Sequence, residues 1–346
     1  MPRRDGGTQI TKFGDPVKPW FDTLEAMGEY IGIRYGKLDP ESGEVDWIYR
    51  PHAQFDGIGG FGDILRCQGA QVRKLPELSS SIPQRWLDLP RALPELSKPP
   101  KVLAWREEIT QSARSGETLR EAPAAVAWHL FSKRETDQIV SHCRKMNVTV
   151  NSFLLKHLSE ALRPGLQEPE EPIPWMIPVN LRGSITQDRD TGNHSSYVAV
   201  KIDSQYSIQA THKSIYNKLE RGEHWANWKA YGLTKGLPIN IKKALIDSNR
   251  AMIQWNVGSF SNLGVWDDEY LAIDPSVSTP WLFAPPVLKC QMIGAGCLTF
   301  GGRLSLMLQT HPSLTTSDKV VREWVNNWVK QIELDIPTAN ESAAIS

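Results

Sequence analysis

Cysteine is scarce in this sequence: Cys67, Cys143, Cys290 and Cys297 are the only four among 346 residues. They are too sparse for a disulfide scaffold and too far apart for a C-x-x-C metal motif, so reduced and mostly buried thiols are expected. An excess of charge of one sign is also missing, because 39 Lys plus Arg balance 39 Asp plus Glu. No global field then favours nucleic acid or an acidic membrane as partner, and small or neutral ligands fit better. No stretch approaches the roughly 18 consecutive apolar residues of a membrane span, and the arginines near the start have no apolar segment behind them. A soluble, cytoplasmic chain is the expectation. The eight histidines show no H-E-x-x-H spacing, which disfavours a metal site. A G-x-S-x-G motif is absent, which disfavours hydrolysis through a serine ester, and the run Gly57-Ile58-Gly59-Gly60 is no G-x-G-x-x-G nucleotide loop.

What the chain does have is the segment Arg50-Pro51-His52-Ala53-Gln54-Phe55-Asp56-Gly57-Ile58-Gly59-Gly60. Trp47, Ile48 and Tyr49 read as a short strand delivering His52 to a sharp turn, and Ile58, Phe61, Ile64 and Leu65 then recur at helical spacing. An imidazole, whose ordinary pKa lies near ~6.5, can take a proton from a hydroxyl, amine or thiol and return it to a leaving group. The glycines allow a tight turn and leave room for a substrate. Taken alone, the same residues also fit an ordinary loop histidine beside an Asp-Gly turn.

The rest of the chain divides at about residue 123. Tyr30 to Tyr35 and Val45 to Arg50 read as two strands ending at His52, followed from Leu75 to Pro123 by a Pro- and Ser-rich crossover. Residues 124–131 then open a second half. There Ser132-Lys133-Arg134-Glu135 forms a capping box, and Thr149 or Asn151 caps a helix whose apolar face carries Phe153, Leu154 and Leu158. Strands are expected at 175–180, 195–202 and 258–264, with mainly helix over 208–253. Gly301-Gly302 marks a hairpin between 292–300 and 303–310. Val321, Trp324, Val325, Trp328, Val329 and Ile332 form the stripe of a closing helix. The thirteen tryptophans are many: core and contact residues are the first reading, and an aromatic-lined channel involving Trp175, Trp225, Trp228, Trp255, Trp266 or Trp281 is the second.

His52, Asp56 and Gly57 resemble the H-H-x-x-x-D-G motif of the superfamily that unites chloramphenicol acetyltransferase, the condensation domains of peptide synthetases and related CoA-dependent acyltransferases. Pro51 replaces the first His. Further on, Thr149-Val150-Asn151-Ser152-Phe153-Leu154-Leu155 is similar to the T-V-N-D-V-L-L segment of wax ester synthases. Pro178-Val179-Asn180-Leu181-Arg182 looks like their P-V-x-x-R strand, Gly192-Asn193 their G-N turn and Ser261-Asn262-Leu263-Gly264 their S-N-x-G strand end. The order is the family's, over roughly residues 30–335.

The resemblance implies an α+β fold of two pseudo-related halves, each a two-layer α/β sandwich, here 1–123 and 124–346, with the active site in a tunnel between them. It implies acyl transfer from an acyl-CoA or phosphopantetheinyl carrier thioester to a hydroxyl or amine of a small molecule, with no tightly bound cofactor. His52 is then the general base in a direct ternary complex. Asp56 and Gly57 support the loop, with Asp56 paired to Arg182, and Gly59, Ser261 and Asn262 are candidate substrate contacts. Asn193 reads as a turn residue. Only 51 residues precede His52, fewer than such families place there, so a homo-oligomer completing the channel is one expectation. A noncatalytic binding or scaffold protein and a carrier-thioester cyclase or condensation enzyme stand as alternatives.

Overall fold

The computed structural model describes residues 15–77, 84, 88, 90, 103–114, 125–247, 257–267, 269–272 and 279–336. In the first half these form α1 (Lys18–Ala26), β1 (Gly32–Leu38), β2 (Val45–Pro51), α2 (Gly57–Cys67), β3 (Gln71–Val72) and the single turn α3 (Glu107–Thr110). Next come β4 (Val126–Leu130), α4 (Lys133–Lys145), α5 (Val150–Leu162), β5 (Ile173–Asn180) and β6 (Ser195–Ile202). The chain continues through α6 (Ile208–Glu220), α7 (Glu223–Thr234), α8 (Ile239–Asp247), β7 (Gly258–Trp266), β8 (Leu271–Ala272) and β9 (Trp281–Ala284). It closes with β10 (Ile293–Phe300), β11 (Arg303–Thr310) and α9 (Asp318–Asp335). Most of the expected crossover, the expected helical stretch beyond residue 247 and Trp255 lie outside the described residues.

Local chemistry accounts for the element ends. Ser132 accepts from the Glu135 amide at 3.2 Å while the Glu135 carboxylate accepts from the Ser132 amide at 2.7 Å, closing the capping box at the head of α4. Thr149, rather than Asn151, caps α5 by accepting from the Ser152 amide. The Gly301-Gly302 turn has both φ values positive, at 55° and 77°, the geometry a two-residue hairpin demands.

A six-stranded mixed sheet in the order β4-β11-β10-β7-β5-β6 forms the second half. Strand alternation gives it two faces. Trp175, Ile177 and Val179 of β5, Val198, Val200 and Ile202 of β6, and Phe260 of β7 point into one core with the apolar stripes of α5 and α9. On α9 the six expected stripe residues are all buried, and Trp328 also donates from Nε1 to the Leu154 carbonyl at 2.9 Å. Each such side chain contributes about 1.5–3 kcal/mol by leaving water. The opposite sheet face turns Met176, Pro178, Tyr197, Ser259 and Ser261 toward the first half.

The two halves are joined by β9, which pairs with β1 in a second sheet, β2-β1-β9, with Tyr35 opposite Phe283. Because β9 lies across the large sheet, a Cβ on Gly296 of β10 would overlap the Phe283 carbonyl, so only glycine permits this crossing. Tyr35, Phe61, Leu263, Trp266, Trp281, Phe283 and Phe300 share one core drawn from both halves. The division near residue 123 therefore describes chain order, while this core and one sheet span it. Trp175, Trp225, Trp266 and Trp281 are buried in the cores. None of the described tryptophans faces the cavity beside His52 described below, so those described do not form an aromatic-lined channel there.

Candidate active site

Strand β2 runs to Pro51, and the five-residue link to α2 holds His52. Its amide donates to the Ile31 carbonyl at 3.1 Å, anchoring the loop to the entry of β1. The Nδ1 atom lies 2.8 Å from the Phe55 carbonyl oxygen. A carbonyl only accepts, so Nδ1 carries the proton of the neutral ring and Nε2 keeps the lone pair. Phe21 of α1 stacks on the imidazole, with centroids 4.1 Å apart and planes inclined by 29°. Burial lowers the His52 pKa from its ordinary 6.5, against the opposing pull of the Phe55 carbonyl and the Asp56 and Asp15 charges. At neutral pH the ring is an uncharged base with a fixed tautomer.

Asp56 is four residues away yet does not orient His52. It is the N-cap of α2, where Oδ1 accepts from the Gly59 amide at 2.7 Å. Arg182, just beyond β5, grips the same carboxylate with two guanidinium nitrogens at 2.8 and 2.9 Å. The His194 amide at 2.7 Å and the Ser195 hydroxyl at 3.2 Å also donate to Oδ2. The pair is all but inaccessible, with side-chain exposures of 1 % for Asp56 and 5 % for Arg182. Burial by itself would raise the Asp56 pKa, but Arg182 and the converging amides outweigh it and hold the carboxyl below its ordinary value. The remaining guanidinium bonds run to the carbonyls of Asp190 and Gly192 and to Asn180 Oδ1. One ion pair thereby ties the head of α2 to the loop between β5 and β6.

That loop supplies a residue whose role the sequence underrates. Asn193 is buried, and its Nδ2 donates to the His52 carbonyl at 2.9 Å and to Asp15 Oδ2 at 3.0 Å. It links the histidine loop to the start of α1, beyond the turn role its Gly-Asn context suggested. Gly59 departs further from expectation: it does not face the cavity. Its missing side chain lets the α2 backbone approach the Thr191 carbonyl, which a Cβ would overlap, so it serves packing in place of substrate contact.

A cavity of about 120 Å³ opens beside His52 between the halves. Val17, Phe21, Ile31, Ile33, Gly57 and Ile58 wall it from one side, and Met176, Pro178, Tyr197, Tyr231, Ser259 and Leu263 from the other. Ser261 and Asn262 also line it, although Asn262 Oδ1 accepts from the Gly264 amide at 2.8 Å and so stabilises its own turn. Burial raises the pKa of both Tyr197 and Tyr231, which hydrogen-bond one another. Ile31 separates the cavity from a second cleft of about 380 Å³ bordered by Glu25, Glu29, Tyr30 and Arg50. Phe21, Tyr197, Tyr231 and Ser259 were not singled out from the sequence; only the period-two pattern of β5, β6 and β7 hints that one strand face there is less apolar. Among the described residues no group of three or more His, Cys, Asp or Glu is placed to hold a metal ion. No described helix is long and apolar enough to cross a membrane.

No protein-family model matches the sequence, and no curated protein matches it. Solved structures do match in fold. The trichothecene 15-O-acetyltransferase TRI3 of Fusarium sporotrichioides superposes with a TM-score of 0.56 at 11 % identity, over 95 % of this chain and 76 % of that one. The cyclization-docking bidomain of the EpoB peptide synthetase of Sorangium cellulosum superposes with a TM-score of 0.51 at 11 % identity, over 85 % of this chain and 61 % of that one. The chain has the two-halved fold of the condensation-domain and chloramphenicol acetyltransferase-like proteins, a mixed α and β architecture as the motif order implied.

Proposed function

We propose that the protein is an acyltransferase in which His52 acts as general base for transfer of an acyl group from a CoA or carrier-protein thioester to a hydroxyl or amine of a small molecule. One observation carries this reading: a neutral histidine, its Nδ1 proton given to the Phe55 carbonyl, lines a cavity between the halves with Nε2 unengaged among the described residues. The same fold houses an enzyme whose name places its acetyl group on an oxygen.

In the proposed reaction Nε2 removes the acceptor proton as the oxygen or nitrogen attacks the thioester carbonyl. The tetrahedral intermediate collapses with loss of the C–S bond, and the imidazolium returns the proton to the departing sulfur. Asp56 and Arg182 brace the loop and take no proton; Asn193 and Phe21 hold the ring in place. A carrier-bound donor would need the same proton transfer, and product mass separates simple transfer from cyclisation.

The test incubates the protein with an acyl-CoA panel and small alcohols and amines, following free thiol release and product mass. His52→Ala is expected to lower transfer by ~10²–10⁴-fold while the melting temperature stays close to wild type. A His52→Ala protein that transfers acyl groups at the wild-type rate would refute the assignment.

A further inference from the structure

The corner where α7 passes into α8 carries large aliphatic side chains in solvent. Leu233, on the last turn of α7, is 74 % exposed, and Ile239 and Ile241, on the first turn of α8, are 51 % and 44 % exposed. Among the described residues the other exposed large aliphatics, Val265 and Leu334, stand singly. Single exposed apolar residues are ordinary, whereas a group of them at one place marks a contact surface. Lys242 reaches back from α8 to donate from Nζ to the Lys235 carbonyl at 2.8 Å, which holds the two helix ends against each other and the three aliphatics together.

The charge of this corner has one sign. No Asp or Glu stands between Glu223 and Asp247 in the sequence, a stretch that contains Lys229, Lys235, Lys242 and Lys243. The chain as a whole is neutral, so this excess is local. Lys243 donates from Nζ to the Ala26 carbonyl at 3.2 Å. A carbonyl carries no formal charge, so the bonds made by Lys242 and Lys243 do not cancel their positive charge.

The inner side of the same corner covers the His52 cavity. Ile246 of α8 packs with Leu24 of α1 and with Ile31, Ala53 and Leu288. Trp20 of α1 donates from Nε1 to Thr234 Oγ1 at 3.2 Å and meets Tyr231 edge-on. Phe21, Ile31, Tyr231 and Leu288 in turn line the cavity.

We propose that the α7–α8 corner is a docking surface for a bilayer containing anionic lipid, with Leu233, Ile239 and Ile241 entering the headgroup boundary and the lysines meeting lipid phosphates. Aliphatic side chains beside lysines on a helical surface are the combination that lies at such an interface, where buried apolar area and attraction to anionic lipid add. A stable protein interface draws on about 20–30 residues a side, far more than this small tip offers. The proposal does not depend on the reaction at His52.

The test is co-sedimentation of the protein with vesicles of phosphatidylcholine alone and of equal parts phosphatidylcholine and phosphatidylglycerol, with light scattering of the free protein in parallel. Wild type is expected to bind the mixed vesicles more tightly, and added salt should reduce that preference. Lys235→Gln should weaken binding to the mixed vesicles by about 5-fold, the value of one lysine near an anionic surface, and leave binding to phosphatidylcholine unchanged. The triple variant Leu233→Ser, Ile239→Ser, Ile241→Ser should weaken binding to the mixed vesicles by about 100-fold, while its melting temperature stays close to wild type because these side chains already face water. Wild type that sediments with neither vesicle, equal binding to both, or a triple variant that binds like wild type would each overturn the proposal. So would self-association that the triple variant abolishes in the absence of vesicle binding, which would make the corner a contact between copies of the chain.

Discussion

Replacing Asp56 by Asn tests how the histidine loop is built. Five donors meet on the Asp56 carboxylate: two guanidinium nitrogens, two backbone amides and the Ser195 hydroxyl. An amide oxygen at that place can accept about two hydrogen bonds, and the new NH₂ would face donors. The buried Arg182 charge also loses its counter-ion. Breaking one side of such a pair costs about 3–5 kcal/mol, a large share of a typical ~5–15 kcal/mol total stability. Denaturant unfolding of wild type, Asp56→Asn, Arg182→Gln and the double variant should show the first loss within that range and a double-mutant coupling of about 1–3 kcal/mol. The acid dependence has a definite sign. Asp56 is held below its ordinary 3.8, so its contribution is complete above that pH and is lost as pH falls through the depressed value. The gap between wild type and Asp56→Asn should therefore narrow in strong acid. An Asp56→Asn protein within about 1 kcal/mol of wild type, or strictly additive single losses, would show that the pair does not carry the loop.

Further outcomes follow from the same contacts. The lowered His52 pKa places the acidic limb of kcat/KM below pH 6.5, and a limb at or above the ordinary histidine value would contradict the burial argument. Asn193→Ala leaves the His52 carbonyl without its donor; stability should fall by about 1–2 kcal/mol and kcat by more than KM rises, as steady-state kinetics would reveal. Gly59→Ala drives a methyl into the Thr191 carbonyl and should cost about 1–3 kcal/mol by thermal or denaturant unfolding; an unchanged midpoint would mean that α2 and the Thr191 loop can separate freely.

Local rules made much of the fold legible in the chain itself. The capping box at Ser132, the Gly301-Gly302 hairpin and the α9 stripe depend on residues a few positions apart, and β6 ends where its alternation does. β9 was not legible: Trp281 to Ala284 are all buried, with no alternation to betray a strand, and their partner β1 lies far earlier in the chain. The ordered motifs pointed to His52 and to the Asp56–Arg182 pair, but Gly59 read as substrate space because its neighbour, the Thr191 carbonyl, is distant in sequence.

The sequence by itself determined which residues could do chemistry and which elements would form, since helix caps, turns and apolar periods are written in near neighbours. Only the tertiary structure decided what each polar atom meets. It turned Nδ1 of His52 to the Phe55 carbonyl, filled the Asp56 carboxylate with donors and set Asn193 under the histidine loop. Those outcomes depend on which strand faces pack together, and pairing across 126 residues, as between Asp56 and Arg182, is a property of the folded chain alone.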